Sequence, residues 1–264
     1  MRRAAREARG EGRPPARVSS RPTPGGALQL VASLAVAACT AAPPPGLASL
    51  APPVVVHGSM QEQMEAGRCD AGIVVRELLR TPRLYAIGPL AGLSGELLVW
   101  DGTVFTSRLV DGTPRVRIEP DARAAFLVAS HVRRWRDIAV PEDVVTLADL
   151  ECWLPQAAAK LGLATDRAHT VRLFAAVTSA QLHVIDQPDG AALDPAAHAA
   201  AAHKVALGAA PVQLLGFLSP PGESTCPIAS PPLHLHLRTL LGDVVGHVDD
   251  LVLSPGAQAE FAIR

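Results

Sequence analysis

Residues 232–250 read PLHLHLRTLLGDVVGHVDD. The first eight alternate strictly, and the two-residue period of a β-strand puts His234 and His236 on one face and Leu233, Leu235 and Leu237 on the other. Gly242-Asp243 reads as the tip of a two-residue hairpin, a register in which Arg238 faces His247 and His236 faces Asp249. His247 then shares the face of His234 and His236 and lies diagonal to His236. Gly246 removes a side chain where the hairpin must twist. By itself an H-x-H on a strand is more often two half-exposed histidines; the third imidazole changes the weighing. Three neutral nitrogens leave a fourth coordination position open, the arrangement of a catalytic zinc site. A one-residue slip would turn His247 to the other face.

Outward from this hairpin the chain is mixed. Asp101-Gly102 and Asp111-Gly112 are turn dipeptides, the first joining strands over residues 97–100 and 103–106. Residues 126–130 and 212–218 read as buried strands. Residues 170–186 read as a strand broken at Ala175-Ala176. Residues 60–80 carry apolar positions near helical spacing. A helix spans about 146–161, with Thr146 as its N-cap and Pro155 kinking or dividing it. The alanine-rich residues 191–210 are either a helix or an inserted loop. With no repeat and strand-rich ends, the chain is α+β rather than a wound parallel sheet.

A second block supports the first. Residues 88–102 read GPLAGLSGELLVWDG. Together with the H-x-H…Gly-His hairpin, this stretch resembles the α-acetolactate decarboxylase family, whose corresponding segment runs G-T-x-x-x-L-D-G-E-x-x-x-x-D-G. Residues 67–79, ending Arg76-Glu-Leu-Leu79, are similar to that family's N-terminal helix. The likeness spans residues 54–263, strong at the two blocks and faint between them.

The resemblance implies a mixed α/β fold. A mixed sheet with helices would occupy about 54–165, and a small β-barrel carrying the metal about 166–264. It implies zinc held by His234, His236 and His247, with 2-acetolactate converted to acetoin and CO2. Glu96 falls on the family's acid/base glutamate, and a homodimer is expected. Three departures stand out. Pro89 replaces the family threonine. His183 or Ile185 stands where an arginine meets the substrate carboxylate, with Arg238 as a substitute from the metal face. The C-terminal tail that supplies a second glutamate is not present before Arg264. A non-catalytic zinc-binding lipoprotein on the same scaffold is therefore the alternative to a decarboxylase.

The N-terminus reads as an address. Residues 1–26 hold seven Arg against two Glu, and the uncharged residues 27–39, ALQLVASLAVAAC, follow. This run is too short to span a bilayer and matches a signal-peptide h-region. Val36-Ala37-Ala38-Cys39 resembles a lipobox, so residues 1–39 are a signal peptide and Cys39 the site of a lipid anchor; an ordinary cleaved signal or a buried helix is the bland alternative. Residues 40–53, rich in Pro and Ala, are a tether to a domain spanning 54–264. The expected location is exported, on a membrane surface, through the lipid alone.

Composition narrows the function further. With 48% hydrophobic and 19% charged residues the chain has material for a core. From residue 40 onward 17 basic residues face 23 acidic ones, and aromatics are 3%, which argues against nucleic-acid binding. Cys69, Cys152 and Cys226 show no C-x-x-C spacing. Nucleophile-elbow, Walker and dinucleotide patterns are absent. His183 reads as a packed or surface histidine and His198 and His203 as solvated. His57, His131 and His169 have no evident partners. Arg133-Arg134-Trp135-Arg136 reads as a solvated loop or edge.

Overall fold

The computed structural model describes residues 51–58, 72–188, 194–220 and 232–264. The expected signal peptide with Cys39, most of the tether, and Cys69 and Cys226 lie outside these residues. Cys152 is an exposed free thiol. Among the described residues, no helix is long and apolar enough to cross a membrane.

In chain order, β1 (Val55–His57) and β2 (Ile73–Val74) precede a one-turn helix α1 (Val75–Leu78). Then come β3 (Leu84–Pro89), β4 (Glu96–Trp100), β5 (Thr103–Val110) and β6 (Thr113–Ile118). Short β7 (Arg123–Ala124) leads to β8 (Leu127–His131) and β9 (Arg134–Ala139). Helix α2 (Leu147–Lys160) is followed by the 17-residue β10 (His169–Ile185). Helix α3 (Pro195–Ala201) runs into β11 (Ala202–Leu207) and β12 (Ala210–Leu218). The chain closes with β13 (Leu233–Thr239), β14 (Val245–Leu253) and β15 (Gln258–Ile263).

The fold is α+β. Its first sheet has the order β1-β8-β3-β4-β5-β6. Every pairing in it is antiparallel, where a mixed sheet was expected. The reason is local: Asp101-Gly102 and Asp111-Gly112 hold positive φ at both positions, the geometry of tight hairpins, so successive strands must reverse.

The second sheet runs β12-β13-β14-β10-β15-β9, with β11 and β12 also on β10. Pairing therefore returns on itself through β10, β12, β13 and β14. This closure depends on the length of β10, which pairs with β12 over His169–Val177 and with β14 from Val177 to His183. The strand is not broken at Ala175-Ala176, which pair without interruption with Val212 and Pro211. The irregularity lies further on, at register shifts between Val177 and Ser179 and between Gln181 and Leu182 on the β14 side, bulges that bend the strand. The internal boundary near residue 165 also moves. β9 pairs with β15, and α2 packs on the second sheet through Leu150, Trp153 and Leu154, so both belong to the C-terminal half.

Helix α2 starts at the expected cap. Thr146 accepts from the Asp149 N–H at 3.2 Å and Asp149 accepts from the Thr146 N–H at 2.8 Å, a reciprocal capping box. Pro155 sits inside the helix without dividing it. The alanine-rich stretch is both helix and strand, α3 turning into β11. Trp135, in edge strand β9, packs edge-on against Tyr85 with ring centroids 4.9 Å apart. It belongs to a core of Tyr85, Ile87, Leu98, Val128, Leu215, Phe217, Val245 and Ala262 that joins the two sheets. That shared core brings β4 of the first sheet against the histidine strands of the second.

Candidate metal centre

Alternation on β13 buries Leu233, Leu235 and Leu237 in the core of the second sheet and turns His234 and His236 to the other face. The leucines have room because Gly216 lies opposite Leu235 on β12; a Cβ there would sit 2.9 Å from Leu235 Cδ1. Both histidines are fully inside, His234 at 4% exposure and His236 at 0%, unlike the half-exposed pair that an isolated H-x-H more often makes.

The hairpin register differs from expectation by two residues. His236 pairs with His247, Leu237 with Gly246 and Arg238 with Val245. The tip is four residues long, because the Thr239 N–H bonds the Val244 carbonyl at 3.1 Å and the Thr239 hydroxyl accepts from the N–H groups of Asp243 and Val244. A shift of two keeps side chains on their faces, so His247 still meets His234 and His236, now directly across rather than diagonally. Ring centroids are 5.2 Å apart for His234–His236, 5.1 Å for His234–His247 and 5.3 Å for His236–His247.

One ligand nitrogen from each ring lies within 4.8 Å of the others. Tetrahedral zinc at 2.0–2.1 Å needs nitrogens about 3.4 Å apart. Three of the nitrogens are unsatisfied: His234 Nδ1 and both nitrogens of His236 are buried without a hydrogen-bond partner. Leaving such groups orphaned costs about 1–3 kcal/mol each, so the donor set fits a divalent cation. Burial pushes His234 down to about 4 and holds His236 and His247 well below the usual imidazole range, which keeps all three neutral and ready to ligate.

Glu96 enters from the first sheet. Its Oε2 lies 3.7 Å from His236 Nε2, and its Oε1 accepts from the Ile185 N–H at 3.3 Å. The preceding Gly95 has φ +144°, and a Cβ there would lie 2.2 Å from the Ser107 carbonyl oxygen, so only glycine lets β4 begin in this position. Burial raises the Glu96 carboxyl to about 7, against the opposing influence of His183 and the Ile185 N–H.

Arg238 shares the histidine face, but its guanidinium donates to Gln213 Oε1 at 2.7 Å and lies 4.6 Å from the Phe105 ring centroid. His183 is the residue that sequence reading undervalued. It pairs with His247 on β14, their ring centroids 4.6 Å apart, and its Nδ1 lies 2.7 Å from Asp249 Oδ1. His198, expected to be solvated, is half-buried with an unpartnered Nδ1; its basicity is lowered by burial and by His183. His203 is also half-buried, in β11 opposite Val184. The spacing of His183 within β10 gave no signal for its role, since only the β10–β14 pairing brings it to the centre.

No protein-family model and no curated protein sequence matches the chain. Solved structures do. The fold is similar to α-acetolactate decarboxylase from Bacillus subtilis strain 168 at 17% identity and TM-score 0.65, over 80% of this chain and 85% of that one. It is similar to acetolactate decarboxylase from Bacillus subtilis subspecies spizizenii at 17% identity and TM-score 0.64, over 80% and 86%. A Staphylococcus aureus protein of unknown function, described as similar to α-acetolactate decarboxylase, matches at 15% identity and TM-score 0.63, over 80% and 85%.

Proposed function

We propose that this chain, which has the fold of the acetolactate decarboxylases, is a zinc-dependent carboxy-lyase converting 2-acetolactate to acetoin and CO2. The observation that carries the reading is the meeting of three buried imidazoles, His234, His236 and His247, with the Glu96 carboxyl 3.7 Å from one of them. When bound, the cation supplies Lewis acidity toward the hydroxyl and carbonyl oxygens next to the departing carboxylate.

The chain's own groups do the rest. The three imidazoles act as neutral ligands. The Ile185 N–H fixes Oε1 of Glu96, leaving Oε2 to face the centre. As the carbon–carboxylate bond breaks, its electron pair stays with the substrate. The Glu96 proton ends on that carbon, and water reprotonates the carboxylate, so one proton is consumed per CO2 released. Arg238, two residues along from His236, is the guanidinium that would meet the substrate carboxylate on leaving Gln213. On the same reading, Cys39 carries a lipid anchor that holds the exported protein to a membrane, and the working form is a homodimer.

A non-catalytic zinc-binding lipoprotein on this scaffold is the second reading. It is favoured by the burial of His236 at 0% and Glu96 at 3%, and by the engagement of Arg238 with Gln213. The discriminating experiment is acetoin formation from racemic 2-acetolactate, with and without chelator. Chelator-sensitive acetoin supports the lyase; one zinc per chain with no acetoin at any metal loading supports the second reading.

A further inference from the structure

His236, His247 and His183 form one row across three neighbouring strands, because His236 pairs with His247 and His247 with His183. Paired residues on adjacent strands project to the same face, and strands lie about 4.8 Å apart. The row is therefore a line of imidazoles, with His234 completing the cluster two residues along β13. Gly246 makes the close approach of β14 to β10 possible: a Cβ there would lie 2.8 Å from the His183 carbonyl oxygen.

We propose that His183 is a fourth imidazole ligand of the cation held by His234, His236 and His247, oriented by Asp249. This rests on the metal-site reading above. Two observations carry it. The His183 and His247 rings are 4.6 Å apart, and His247 belongs both to the group with His234 and His236 and to a second group with His183 and Asp249. In addition, Asp249 Oδ1 accepts from His183 Nδ1 at 2.7 Å, which assigns the proton to Nδ1 and leaves the Nε2 lone pair free. A ligating histidine characteristically donates its other N–H to a carboxylate, which fixes the tautomer and makes the ligating nitrogen more basic. Asp249 is itself held by Lys204, whose Nζ lies 3.0 Å from Oδ2. The order from solvent to centre is thus Lys204, Asp249, His183, cation.

The test uses the full-length chain loaded with Zn2+ or Co2+, comparing wild type with His183→Gln, Asp249→Asn and His236→Ala. Zn2+ affinity is read by chelator competition, Co2+ coordination by visible absorption, and folding by circular dichroism. Asp249→Asn is expected to weaken Zn2+ about 10–100-fold, and His183→Gln by more, with a changed Co2+ spectrum and one ion per chain. If His183→Gln keeps wild-type affinity and spectrum while His236→Ala loses affinity, the fourth-ligand assignment is overturned and the three-imidazole centre stands. Two ions per wild-type chain, reduced to one in His183→Gln, would overturn it in favour of a separate site. Wild-type Zn2+ affinity in His236→Ala would remove the centre on which both rest.

Discussion

His236 stands directly opposite His247 across the β13–β14 pair, their rings 5.3 Å apart and inclined at 80°. Both rings approach one point from adjacent strands, so removing either takes out a ligand without disturbing the leucine face behind. His236→Ala and His247→Ala are each expected to weaken zinc binding strongly while the protein stays folded, because each loses a ring at the point where the imidazoles converge. Chelator competition on the purified variants checks this, and wild-type zinc affinity in either one removes that residue from the ligand set.

Glu96→Gln keeps the shape of the side chain and loses the transferable proton. Zinc content is expected to be unchanged and acetoin formation to fall by about 10²–10⁴-fold, the usual contribution of a positioned acid. Equal turnover in wild type and variant would take proton transfer away from this residue.

Gly95 sets the start of β4, and any side chain there meets the Ser107 carbonyl oxygen at 2.2 Å in a backbone region that disfavours L residues. Gly95→Ala is expected to cost about 1–3 kcal/mol of stability, in the range of overpacking and backbone strain. It should also displace Glu96. Urea midpoints measure the first effect and turnover the second; a wild-type midpoint would show that the hairpin yields freely here.

His169, buried at 3% exposure, places its Nε2 at 2.5 Å from the Ala164 carbonyl and lies outside the metal centre. Burial holds it below its ordinary value of 6.5, against the pull of that carbonyl. The unfolded chain therefore takes up this proton first as pH falls through 6.5, and stability is lost until the folded-state value is reached. One proton corresponds to at most about 1.4 kcal/mol per pH unit. In chelator-treated protein, His169→Gln is expected to show a shallower loss of stability than wild type between pH 6.5 and 5.5. Parallel curves would mean that His169 titrates alike in both states.

Much of the centre is legible in the sequence alone. The leucine–histidine alternation around His234 and His236 names a face, the Gly-His step returns His247 to it, and the block around Glu96 singles out that carboxyl through its likeness to the acetolactate decarboxylases. What misled was the hairpin tip. Gly242-Asp243 looked like a two-residue turn, but Thr239 bonds back to Asp243 and Val244 and lengthens it to four. His183 was passed over for a related reason: nothing in its own neighbourhood says which strand lies beside it.

Sequence by itself determined which side chains share a face, because the period of two along a strand is a local property that survives a shift of two in register. Tertiary structure alone decided which strands lie side by side. β10 is long enough to pair with four strands and sets His183 against His247 on one of them, and the common core of the two sheets carries Glu96 to His236. Those meetings join residues far apart in the chain, held by packing and pairing that no short stretch encodes.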